Sequence, residues 1–169
     1  ANEHWDDALP QPLNGRDPFG SFYRGLSSSG DGQMQNYNDD TPEKLNEMLN
    51  WLDEADYIAM SSNRLYGSIP RLPWRYPMTV DYYEAMLGGK LGWELAADFN
   101  SFPRIGPFIF NDQEMPQTLA RSPNTQGTPA GIQVPYPTAE EAFSVYDHPR
   151  VLIFKKTPAY SRELAASIL

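Results

Sequence analysis

Residues 56–77 read DYIAMSSNRLYGSIPRLPWRYP. Tyr57-Ile58-Ala59-Met60 is a short, continuous apolar run, and it directly follows an amphipathic helical pattern. A strand buried on both faces has this signature, which makes the run the expected central strand of a sheet. The chain then turns polar at Ser61, Ser62, Asn63 and Arg64 and passes Gly67, Pro70, Pro73 and Pro77. Proline lacks the amide proton that a strand ladder or a helix interior uses, so a long shaped loop is expected rather than a continuing element. In open α/β sheets, ligands sit beyond the carboxyl ends of the strands. The donors Ser61, Ser62, Asn63, Arg64 and Tyr66 therefore form the first candidate ligand crevice. The plainer reading is that these groups satisfy loop backbone and neighbouring carboxylates.

Upstream of the strand, Thr41 is placed as an N-cap, Pro42 at the first helical position and Glu43 in the first turn. Leu45, Met48, Leu49, Leu52 and Ala55 follow at helical spacing, predicting a helix over residues 42–54. Downstream, Thr79 is read as the cap of a helix over 80–87 that stops at Gly88-Gly89. Of the adjacent Tyr82 and Tyr83, at least one phenol is expected to look outward or towards the loop. Strands are expected at 94–99 and 108–110. A terminal hairpin is read from 143–146 and 151–154, turning at Asp147-His148-Pro149-Arg150. Residues 158–169 read as a helical tail. Two stretches lack periodicity, 13–38 and 111–137, and are expected as long loops. The predicted fold is a single α/β domain over 1–157, with a mixed sheet, covering helices, two long loops and the terminal β-hairpin.

The 169 residues suffice for one domain with a real core. Thirteen basic residues against 22 acidic ones give a formal charge of −9, which argues against a nucleic-acid partner. Without cysteine, disulfides, thiolate nucleophiles and cysteine zinc sites are excluded. No apolar run approaches the about 20 residues that a membrane helix needs, and no signal-peptide pattern opens the chain. The start at Ala1 and the apolar end suggest a piece of a longer protein.

Little in the sequence carries recognisable chemistry. Only His4 and His148 are present, so three-histidine zinc sites are excluded. GxSxG, Walker and GxGxxG motifs are absent, and no cofactor is expected. Glu3-His4-Trp5-Asp6-Asp7 gathers carboxylates, an imidazole and an indole, suited to a cation or a sugar, or simply to capping turns around an inward Trp5. Asp147-His148 invites a dyad, but neighbours in a tight turn are expected to point apart. Acid pairs for glycoside hydrolysis could be drawn from Glu3, Asp6, Asp7, Asp98 or Asp147, and only their separation would decide. A parallel pairing of the amino-terminal strand with 57–60 would set Trp5 and Asp6 beside the 61–66 loop. Arg64 would then meet Asp6 or Asp7, or an anionic ligand. That crevice is preferred to the His148 turn as the ligand site.

Four stretches together carry a resemblance: EHWDDALP (3–10), ADYIAMSSNRLYGSIPRLPWRYPMT (55–79), LGWELAADFNSFPRIGPF (91–108) and EEAFSVYDHPRVLIFKKT (140–157). They resemble the soluble region of multi-spanning prokaryotic membrane proteins of the YYY type, which are related to dolichyl-phosphate-mannose-protein mannosyltransferase-like glycosyltransferases. The resemblance covers the scaffold and leaves out the two long loops. It implies a domain on the extracytoplasmic face of a cell membrane, packed on the membrane-embedded part of its parent and contacting acceptor carbohydrate or lipid-linked sugar. The catalytic acid of such transferases lies between membrane helices and matches no position here, so the implied role is non-catalytic. The alternative is a stand-alone carbohydrate-active enzyme built on the amino-terminal acids and the Arg64 loop.

Overall fold

The computed structural model describes residues 2–3, 33–113, 131–135, 137, 139–140 and 142–169. The chain folds as α/β, with a main sheet of five strands and a smaller one of three. The main-sheet strands are β1 (Asn2–Glu3), β2 (Gln33–Met34), β3 (Tyr57–Met60), β4 (Trp93–Phe99) and β8 (Val151–Lys156), in the spatial order β2-β1-β3-β8-β4. β1 runs parallel to both β2 and β3, with Asn2 opposite Ala59, as expected for the amino-terminal strand. β8 runs antiparallel to both β3 and β4, so those two point the same way. Hence four strands share one direction and only β8 opposes them.

This topology sorts the connections by edge. The chain leaves β2, β3 and β4 at one edge and enters β8 there, so residues 35–41 and 61–76, the small sheet and residues 142–150 all gather at that carboxyl edge. Helices return the chain to the opposite edge: α1 (Pro42–Glu54) from β2 to β3, and α3 (Pro77–Leu87) from β3 to β4. Between β3 and α3 lie a single turn, α2 (Arg64–Ser68), and a 3₁₀ turn (Ile69–Arg71). The three prolines of this loop thus permit short helical turns while excluding a long helix.

The core follows from alternation along the strands. Ile58, Met60, Leu152 and Phe154 line one sheet face and pack with Met48, Leu49 and Leu52 of α1 and Tyr82, Tyr83 and Met86 of α3. The carboxyl-terminal helix α4 (Arg162–Ile168) rests on α1 and α3, with Ala165 buried. It realises the expected helical tail. β4 carries a bulge between Leu95 and Ala97, which accounts for its broken alternation.

A buried polar network fixes the carboxyl edge. Lys44 is buried, and its three ammonium protons are shared among four oxygens within hydrogen-bond reach, Asn36 O at 2.9 Å, Asn38 O at 2.6 Å, Asp40 Oδ1 at 2.8 Å and Thr79 Oγ1 at 2.6 Å. Asp40 accepts from the Thr79 hydroxyl at 2.7 Å and from the Thr79 amide at 3.2 Å. Burial pushes the Asp40 carboxyl up, but hydrogen bonds from Lys44 and Thr79 outweigh it and hold the group below its ordinary range. Thr79 is therefore not the cap of its helix. It lies inside α3, whose first-turn amide is capped by Asp40 from a distant segment.

Other expectations are corrected. Residues 143–146 do not form a strand: Phe143–Asp147 is a wide helical turn, and β8 inserts between β3 and β4 instead of closing a terminal hairpin. Residues 108–110 belong to the small sheet of β5 (Arg104–Ile105), β6 (Phe108–Asn111) and β7 (Ile132–Pro135), not to the main one. The expected loops at 13–38 and 111–137 contain β2 and β7, and their positions 13–32, 114–130 and 136 lie outside the described residues. Both Tyr82 and Tyr83 are fully buried: Tyr83 Oη accepts from Asn36 Nδ2 at 3.0 Å and Tyr82 faces Met34 Sδ. A phenol can enter the core because a nearby polar group satisfies its oxygen.

Candidate functional site

Immediately beyond β3, Ser62 is buried, and its Oγ accepts from the Arg64 amide at 3.3 Å. Ser68 Oγ donates to the Arg64 carbonyl at 2.5 Å, which closes the turn of α2. These bonds fix the backbone of residues 62–68 and leave Ser61, Asn63 and Arg64 half-buried at the rim. Tyr66 turns inward and is buried, close enough to Arg150 to act on its charge. Among the sequence candidates, Ser62 and Tyr66 are thus part of the support. Trp5 and Asp6, like the Asp7 expected as an Arg64 partner, lie outside the described residues.

Arg64 reaches across the edge to Tyr146. Its terminal nitrogen donates to the Tyr146 hydroxyl, and its Cζ stands 5.1 Å from the ring centroid. Tyr146 is 68% exposed. A guanidinium over an aromatic face gains about 0.5–1 kcal/mol at an exposed site, enough to orient both groups while leaving them accessible.

Two residues later stands His148. Its Nδ1 meets Asp147 Oδ2 at 2.9 Å and its Nε2 meets Asp112 Oδ2 at 2.7 Å. A carboxylate only accepts, so satisfying both contacts requires a proton on each ring nitrogen, the imidazolium form. Hydrogen bonds to Asp147 and then Asp112 hold its pKa above the ordinary value, against the opposing effect of burial. Asp147 and His148 therefore do meet, contrary to the tight-turn expectation, because the backbone preceding His148 is helical. Asp112 Oδ1 is buried without a hydrogen-bond partner among the described residues.

Arg150, also buried, makes a two-pronged pair with Asp98 at the end of β4: Nε to Oδ1 at 3.0 Å and a terminal nitrogen to Oδ2 at 2.5 Å. Burial alone would lower the Arg150 pKa, but Asp98 raises it above the ordinary value. Gln113 connects the two layers of the edge, donating to His148 O at 2.5 Å and accepting from the Arg150 amide at 3.1 Å. The 61–66 loop and the His148 segment are therefore one edge rather than rival sites. Sequence reasoning missed Asp98, Asp112, Gln113 and Arg150 as a set because they come from three distant segments, and none follows a motif spacing.

The exposed Arg64–Tyr146 pair can receive a hydroxyl or an anionic oxygen beside an aromatic face, whereas His148, with both nitrogens donating, cannot accept a proton. Among the described residues, no group of histidine, aspartate and glutamate has the geometry of a metal centre, and no helix is long and apolar enough to cross a membrane. Comparison with models of known families, with curated proteins and with solved structures finds no match.

Proposed function

We propose that the chain is a non-catalytic extracytoplasmic domain of a glycosyltransferase-like membrane protein, and that its carboxyl edge contacts the acceptor or a lipid-linked sugar. The Arg64–Tyr146 pair carries this reading. It offers a cation for phosphate and an aromatic face for a pyranose at the edge where α/β sheets receive ligands. The ionisable groups behind it support a scaffold role, since His148 and Arg150 hold carboxylates of the protein itself. The test is calorimetric titration with a sugar 1-phosphate and with a short-chain polyprenyl-phosphate sugar. The intact chain is expected to bind, and Arg64→Ala to lose binding while its melting temperature falls by no more than about 4 °C, the worth of an exposed cation–π pair. Lost stability with unchanged titration would make Arg64 a structural bridge and reject this site.

The second reading, a stand-alone carbohydrate-active enzyme, draws on the parallel β1–β3 pairing, by which the carboxyl end of β1 lies at this same edge. The encoding reading frame discriminates between the two. Many hydrophobic segments of membrane length favour the membrane protein, and their absence favours the enzyme.

A further inference from the structure

Acidic residues outnumber basic ones in this chain, 22 to 13, yet residues 57–80 contain Arg64, Arg71 and Arg75 and not one carboxylate. That stretch also carries the most exposed large apolar side chain described, Trp74, at 78%. The indole is presented by a rigid support rather than left dangling. The Leu72 amide donates to Ile69 O at 2.9 Å, and the Leu72 carbonyl accepts from the Arg75 amide at 3.0 Å and the Tyr76 amide at 3.1 Å. Pro73 and Pro77 restrict the backbone on either side. Two residues on, Tyr76 is buried against Tyr37, with ring centroids 5.9 Å apart, and lies under the Lys44 and Arg75 cations. Arg71 and Arg75 stay exposed on either side of Trp74, and Arg75 shares its charge with the surface carboxylate Asp39 at 3.0 Å.

We infer that this turn docks on the phosphate layer of a phospholipid surface, with the Trp74 indole at headgroup depth and Arg71 and Arg75 on lipid phosphates. Charge complementarity selects the occupant: Arg71 and Arg75 are exposed next to Trp74 in a stretch with no carboxylate of its own, and the one carboxylate on Arg75, Asp39, is an exposed surface partner that a lipid phosphate can replace. The chemistry of the tip agrees, since an indole has an apolar body and one donor, the combination that places tryptophan at membrane interfaces. Arginine adds its fork to phosphate oxygens. The inference deepens the membrane-protein reading and rests on it for the source of the surface. It uses residues apart from the Arg64–Tyr146 pair.

The experiment is flotation of the full chain with phosphatidylcholine vesicles, with and without phosphatidylglycerol, together with tryptophan quenching by brominated lipid. Binding is expected to be stronger with phosphatidylglycerol and to weaken as salt rises. It should fall roughly fivefold for each of Arg71→Ala and Arg75→Ala. The quenching should vanish in Trp74→Phe. Because Trp74 is exposed, circular dichroism of that variant should match the parent. No flotation of a folded chain with either vesicle, or flotation and quenching indifferent to these three substitutions, overturns the inference. Loss of sugar-phosphate titration with vesicle binding intact would instead reject the ligand site alone.

Discussion

At the scale of single residues, His148 ties proton concentration to the integrity of the edge. The carboxylates facing it are Asp147 and Asp112, and its folded pKa lies above the ordinary 6.5. A raised folded value means that the folded state binds the proton more tightly. The stabilisation is then fully present below the unfolded pKa and is lost as pH rises through the raised one. Melting temperature is accordingly expected to fall as pH passes upward from 6.5, and Asp112→Asn should flatten that dependence. A pH profile identical in the variant would show that the clasp is not what titrates. Arg150→Ala should be costlier, about 3–5 kcal/mol by urea denaturation, because it strands the buried Asp98 carboxylate. A loss below about 1 kcal/mol, the range of surface pairs, would contradict the burial of this pair. The adjacency of Asp147 and His148 was visible in the sequence, but the partnerships of His148 with Asp112 and of Arg150 with Asp98 were not. Asp112 and His148 are 36 positions apart and Asp98 and Arg150 are 52 apart, with no periodicity linking them.

At the scale of elements, local chemistry was legible where it was self-contained. Thr41, Pro42 and the spacing of Met48, Leu49 and Leu52 define α1, and the apolar runs define β3 and the start of β8. It failed where tertiary partners decide. Phe143-Ser144-Val145-Tyr146 alternates like a strand but is too short to separate strand from helical turn, and among the described residues no strand pairs with it. The start of α3 is another such case, because its cap, Asp40, comes from before α1. Substitution weighs the two kinds of cap. Thr41→Ala, which removes the local cap on the Lys44 amide and the hydroxyl that meets Glu43, is expected to cost about 1 kcal/mol. Asp40→Ala leaves the buried Lys44 ammonium without its counter-charge and is expected to cost about 3–5 kcal/mol. Equal losses in urea denaturation would mean that the tertiary network contributes no more than an ordinary helix cap.

At the scale of the whole molecule, the position of β8 matters most. A strand from the end of the chain lies between β3 and β4, so the carboxyl edge assembles residues 61–66, 98, 112–113 and 146–150 that no stretch of sequence holds together. The α/β class and the interrupted connection after β3 were readable, because both depend on one buried strand and the prolines that follow it. The joining of that loop to the His148 segment was not, because it depends on the insertion of β8. The shared edge is tested most directly by amide chemical-shift mapping during titration with a sugar 1-phosphate. The expected result is a cluster of shifts at residues 61–66 and 146–150, with residues 88–92 and 157–161 at the opposite edge unmoved. Shifts confined to the opposite edge, or to the 146–150 segment without the 61–66 loop, would contradict a single binding edge.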